Sequence, residues 1–253
     1  MIPSSDRAVT SPCPRSAVGA RAVTLTLTVL MLAGCGVVAA ASSVVHTAQN
    51  NKAVIGQFTG QLQSGTATPF EATYVTSGSS QATIVYAVRP PNQVAFQEGD
   101  SGNGAIVPSL DVFANTSGEY SCARLDPLAY ATSRWSCRRL GPAGSAAQNK
   151  IFDFYTPQHW VAFLNDLTLA ASFAGDKVTK SAMTVNGFSL HCVNFTATGI
   201  AATSTVCSTA QGIIGYVNVT LVSSVAETFE IKAYSASPPA SLFQPPPGAR
   251  ITG

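Results

Sequence analysis

The sequence predicts an α+β domain: a long antiparallel sheet with one face to bury, and two helices and a tail to cover it. Three observations predict it. Apolar residues recur at helical spacing in two segments, 47–63 and 156–174. Between and after them, short runs alternate apolar with polar residues and are separated by turn chemistry. Asn186-Gly187, flanked by two such runs, is the strongest short-range hairpin signal.

Each element follows from its residues. In 47–63, Ala53, Ile55, Phe58 and Leu62 trace one helix face, and Gly65 and Pro69 punctuate its end. Phe70, Ala72 and Tyr74 then alternate with polar neighbours, and Ser77-Gly78-Ser79-Ser80 turns the chain into a second strand over 81–88. Arg89-Pro90-Pro91-Asn92 breaks that strand, a third runs over 93–97, and 99–104 is a glycine-rich loop. Residues 105–113 and 119–124 pair around Asn115-Thr116-Ser117-Gly118. Short strands are expected at 134–139 and 150–154.

Thr156-Pro157 opens the second helix, with Thr as cap and Pro at the first helical position. Trp160, Phe163, Leu164, Leu167, Ala170, Ala171 and Ala174 form its apolar face, and Gly175 suits its end. Strands follow at 178–185, 188–195, 203–208, 213–221 and 228–234. Ser237-Pro238-Pro239 ends the sheet, and Pro245-Pro246-Pro247 suits a polyproline tail.

The first 34 residues read as an export signal. Arg7, Arg15 and Arg21 precede an apolar run from Ala22 to Met31, followed by Leu32-Ala33-Gly34-Cys35. Thr24, Thr26 and Thr28 interrupt the run, which falls short of the roughly 18 apolar residues a membrane span needs. Cysteine after Ala-Gly resembles the bacterial lipobox, in which that cysteine is acylated and becomes the first mature residue. The expected organisation is a lipoprotein signal over 1–34, a lipidated tether over 35–46, and a single domain over 47–253. The expected location is the outer face of the cell membrane, held there by acyl chains on Cys35.

Composition excludes some functions. From Cys35 onward basic and acidic residues balance at eleven each, with no basic stripe, so nucleic-acid binding is not expected. Four cysteines remain after Cys13 and Cys35: Cys122, Cys137, Cys192 and Cys207, at two spacings of fifteen. In an oxidising compartment they read as disulfides. Of three possible pairings, local closure (Cys122 with Cys137, Cys192 with Cys207) is the simplest. A zinc site would need a Cys-x-x-Cys knuckle or histidine partners at ligand spacing, and neither is present.

No motif names a reaction. There is no Gly-x-Ser-x-Gly elbow, no His-Glu-x-x-His and no phosphate loop. His46 lies in the tether and His159 in the first turn of the second helix. His191 adjoins Cys192 on a strand, where neighbouring side chains point to opposite faces. All three read as structural. Asn115, Asn194 and Asn218 sit in Asn-x-Ser/Thr sequons that a bacterial lipoprotein leaves unmodified. The chain is therefore not expected to be an enzyme, and no metal or cofactor is implied.

The order helix, meander, helix, meander resembles the periplasmic lipoprotein-carrier superfamily, which includes LolA and the LppX-like lipid-binding lipoproteins of actinobacteria. The resemblance rests on Tyr86-Ala87-Val88-Arg89-Pro90-Pro91 before a strand, Thr156-Pro157 opening the second helix, and Phe243-Gln244-Pro245-Pro246 in the tail. It covers about residues 47–250; the four cysteines and the Ala-rich end of the second helix depart from it. It implies a curved sheet, an incomplete barrel, covered by two helices and shielding a hydrophobic cavity. On that reading Phe70, Tyr74, Ile84, Tyr86, Phe96, Trp160, Phe163, Leu164 and Leu167 line a pocket for a lipid or other hydrophobic molecule; otherwise they fill a core. The implied function is binding or transfer of a hydrophobic ligand. The alternative is an envelope lipoprotein acting through protein–protein contacts.

Overall fold

The computed structural model describes residues 26–65, 67–77, 81–102, 105–124, 134–144, 157–173, 176–197, 202–220 and 227–253. Contacts divide the chain into Met1–Ser42 and Ser43–Gly253. Of the first unit only helical backbone from Thr26 is described. Residues 1–25 of the signal expected over 1–34, the side chain of Cys35 and the strand expected at 150–154 lie outside the described residues. Among the described residues, no helix is long and apolar enough to cross a membrane.

Helix α1 (Thr26–Gly65) contains the helix expected at 47–63 and begins well before it. It leads into β1 (Phe70–Ser77), β2 (Thr83–Arg89), β3 (Gln93–Gly102), β4 (Ala105–Asn115), β5 (Gly118–Arg124) and β6 (Trp135–Gly141). Helix α2 (Pro157–Phe173) follows, then β7 (Thr179–Val185), β8 (Phe188–Ala197), β9 (Ala202–Thr209), β10 (Ile214–Thr220) and β11 (Glu227–Ser235). A 3-10 turn (Ala240–Phe243) and β12 (Arg250–Thr252) complete the chain. All the strands join in one twelve-stranded sheet of order β12-β6-β5-β4-β3-β2-β1-β11-β10-β9-β8-β7. The two meanders meet where β1 pairs antiparallel with both β2 and β11.

The expectation of a sheet covered by two helices is overturned. Twelve strands at about 4.8 Å make a sheet roughly 50 Å wide, and a helix with its side chains is only about 10–12 Å across. Two helices cannot cover such a sheet. The structure is a curved open sheet with two helices among the described residues. Over 99–102 the expected loop is also replaced by strand, because β3 and β4 stay paired as far as Gly102 and Ala105. Their register shifts between Glu98 and Gly99, where a Cβ on Gly99 would lie 2.2 Å from the Val107 carbonyl oxygen. Only glycine permits that bulge. Strand β12, which the proline-rich tail concealed from sequence, pairs parallel with β6.

Both faces of the sheet carry cores, as strand alternation requires. One cluster joins Ile55, Phe58 and Leu62 of α1 to Trp160 and Leu164 of α2 over the inward residues of both meanders. Tyr74 stacks on Phe229 at 4.2 Å within it. A second cluster, on the opposite face, gathers Ala87, Ala95, Phe113, Cys122, Trp135 and Cys137 under Phe243 of the tail. Asn115 Nδ2 donates to the Phe243 carbonyl at 2.8 Å, and the Arg89 guanidinium lies 5.4 Å from its ring while donating to the Pro238 carbonyl. The tail thus seals apolar surface that no helix reaches.

The cysteines close locally, Cys122–Cys137 and Cys192–Cys207, each pair directly cross-strand in register. Two disulfides mark an extracytoplasmic, oxidising environment.

Asp111 sits opposite Cys122 with 1% of its surface exposed. Gln97 Nε2 donates to its Oδ2 at 3.2 Å, and Oδ1 has no hydrogen-bond partner. Burial pushes its carboxyl up to about 7, against the opposing hydrogen bond from Gln97. An unfolded Asp titrates near 3.9, so the folded state holds one more proton between about pH 4 and pH 7. That stability is complete below pH 4 and is lost as pH rises through 7. Asp111→Asn is expected to flatten the loss, removing about 3 kcal/mol of the fall between pH 5 and pH 8. Urea unfolding of both proteins at the two pH values checks it; equal slopes refute it.

Candidate functional site

Helix α1 is held over the second meander at two points. Near the start of the second unit, Asn51 is 1% exposed and spends its side chain on three bonds. Its Nδ2 donates to Ser172 Oγ at 3.0 Å and to the Asp176 carbonyl at 3.1 Å. Its Oδ1 accepts the Val178 N–H at 2.8 Å. One residue thereby ties α1 to the end of α2 and to the entry of β7. Asn51 lies one helical turn before Ile55, on the face that Ile55, Phe58 and Leu62 continue into the core.

At its C-terminal end α1 rests on the β9–β10 turn. A Cβ on Gly65 would lie 2.3 Å from the Gln211 carbonyl oxygen, and one on Gly212 would lie 2.0 Å from that of Gln61. Gly212 also has φ +76°, the left-handed region that glycine tolerates. Gln61 Nε2 donates to the Thr209 carbonyl at 3.3 Å. Backbone meets backbone here with no side chain between.

Between these anchors α1 bridges the sheet, and a groove of about 260 Å³ opens beneath it. The helix contributes Val54, Gln57, Phe58 and Gln61, at the i, i+3, i+4, i+7 spacing of one face. The strands contribute Lys180, Ser181, His191, Cys192 and Val193. The Asn186-Gly187 turn positions them. It forms with positive φ at both residues, sets Lys180 opposite Val193 and Ala182 opposite His191, and so gives these four one face. Lys180 Nζ donates to Gln57 Oε1 across the groove. Asn186 Nδ2 also donates to the Ile231 carbonyl at 2.9 Å, beside a register shift in the β1–β11 pairing. That bond ties the hairpin tip to β11 and curls the second meander around the groove.

The residues expected to line a pocket are placed otherwise. Phe70, Tyr74, Tyr86, Phe96, Trp160 and Leu164 are buried in one cluster, and Ile84, Phe163 and Leu167 pack against it. None of them lines the groove. His191, which read as structural, stands exposed on the groove's rim. The sequence held a usable signal: an Asn-Gly hairpin fixes register, so Lys180, Ala182, His191 and Val193 were assignable to one face from the chain alone. Which face the helix would straddle was not.

No protein-family model and no curated protein matches this chain. Among solved structures it is similar to MucB, with a TM-score of 0.47 and 11% identity, covering 78% of this chain and 64% of that one. It is also similar to an uncharacterized conserved protein from Thermus thermophilus, with a TM-score of 0.44 and 8% identity, covering 79% of this chain and 98% of that one. MucB in complex with MucA(peri) gives a TM-score of 0.42 at 11% identity, covering 78% of this chain and 60% of that one. The chain thus spans less than two thirds of MucB's length.

The anchoring Gly212 and the exposed Gly60 predict opposite effects of one substitution type. Gly212→Ala is expected to cost at least about 2 kcal/mol, because backbone and helix must separate and φ is left-handed. Gly60→Ala, where an added Cβ meets nothing within 4 Å, is expected to stabilise by about 0.5–1 kcal/mol. Denaturant midpoints of the two variants check this, and equal effects would sink it.

Proposed function

We propose that this chain is an acyl-anchored, extracytoplasmic binding protein that holds a hydrophobic ligand in the groove between α1 and the β7–β8 hairpin, without covalent catalysis. The Leu32-Ala33-Gly34-Cys35 signature and the two disulfides support the location. One observation carries the ligand: Val54 and the edges of Phe58 and Val193 give the groove an apolar lining between the hairpin and a helix held in place at Asn51 and at Gly65. Apolar surface left open by a fixed scaffold gains about 0.8 kcal/mol for each methylene it covers. The site has moved from the aromatic lining expected from sequence, whose members fill a core, to the groove at the far end of the sheet.

A second reading rests on a different feature. Strand β7 ends the sheet, and Thr179, Lys180, Ser181 and Ala182 are exposed along it. An edge with unpaired backbone groups accepts a strand from a protein partner.

Photo-crosslinking separates the two. The full chain, held in phosphatidylcholine nanodiscs, is exposed to a long-chain alkyl diazirine. Label is expected on 54–61 and 180–193, and Val54→Trp, at a half-buried position of the lining, is expected to remove at least about nine tenths of it. Label confined to the lipidated tether, or unchanged by Val54→Trp, rejects the groove as the site.

A further inference from the structure

The groove's rim selects a charge as well as an apolar chain. Of its nine lining residues, Lys180 and His191 are the ones with basic side chains, and none is acidic. Strands β7 and β8 contain no aspartate or glutamate at all. Gln57 and Gln61 add amides on the helix side. Gln57 occupies one of the three N–H groups of the Lys180 ammonium, and the other two are donors for a ligand. Apolar and polar lining lie on adjacent positions of one helix face: Val54 and Phe58 flank Gln57, and Phe58 is followed one turn later by Gln61. A ligand occupying both is apolar at one end and an acceptor at the other.

Size narrows the class. The groove holds about 260 Å³. Pockets for drug-sized molecules run from roughly 300 to 1,000 Å³. This one accommodates a single chain rather than the two tails of a phospholipid.

The geometry points to a single-chain carboxylate amphiphile, a fatty acid, with its chain on Val54, Phe58 and Val193 and its carboxylate between Lys180 and His191. This rests on the groove being the ligand site and adds the ligand's head group. A carboxylate bonded by an ammonium makes a charge-assisted hydrogen bond, roughly twice as strong as a neutral pair, which an alcohol cannot reproduce.

The test uses the full chain in phosphatidylcholine nanodiscs and two probes of equal length: a diazirine fatty acid and the corresponding diazirine fatty alcohol. The acid is expected to label 54–61 and 180–193 about tenfold more than the alcohol. In the Lys180→Gln, His191→Gln double variant, whose two sites are exposed on the surface, the labels are expected to become equal at the alcohol's level. Equal labelling of the groove in the unsubstituted protein overturns the charge assignment while leaving groove binding intact. A preference for the acid that survives the double variant also overturns it. Failure of both probes to label the groove removes the underlying site itself.

Discussion

The structure depends on holding one helix against a sheet at two separated points. Helix–sheet packing ordinarily closes by side-chain interdigitation along its whole length. Here the end contacts are of another kind. Asn51 fixes one end with three hydrogen bonds in a buried site, where an unpaired amide would cost about 1–3 kcal/mol. Gly65 and Gly212 fix the other by letting backbone approach backbone directly, beside the Gln61 hydrogen bond to Thr209. Both anchors are intolerant of small displacement. The helix between them therefore keeps a fixed height over the strands: the space fills where Ile55, Phe58 and Leu62 meet large side chains, and stays open where the inward residues are small.

What those residues leave follows from their size. Toward the middle of the sheet, Tyr74, Phe229 and Ile231 reach up to meet Ile55, Phe58 and Leu62 in one cluster, and no gap is needed. Under the other flank of α1 the inward positions are Lys180, Ala182, His191 and Val193. Alanine is short, and lysine and histidine carry their polar ends outward to water. One helix thus seals a core with its Ile55 side and roofs a groove with its Val54 side.

The same economy of cover explains the tail. A twelve-stranded sheet buries surface on both faces, and among the described residues the α-helices serve one of them. Phe243 plugs the other, gripped by Asn115 and Arg89, over the Cys122–Cys137 disulfide. Asp111 lies in that sealed region with one carboxylate oxygen unpaired. Its elevated titration is the electrostatic cost of a seal made from aromatic and sulfur groups with few donors.

Much of this was legible in the chain and some was not, for physical reasons. Local signals read well: Asn186-Gly187 gave the hairpin and its register, Asn115 to Gly118 gave a turn, and Pro157 opened α2. Local closure of the cysteines followed from strand pairing. Gly99 misled because a glycine in a bulge and a glycine in a loop look alike until the partner strand is known. The aromatic set from Phe70 to Trp160 misled for a deeper reason. Apolar side chains are needed equally for a packed core and for a pocket wall, and periodicity reports only the face they occupy. What separates the two outcomes is the separation of the elements that carry them. That separation is set here by Asn51, Gly65 and Gly212, which in sequence look like a helix-interior amide and two ordinary turn glycines. A cavity is thus encoded by the residues that hold its walls apart rather than by those that line it, and here only the contacts across the fold reveal which residues those are.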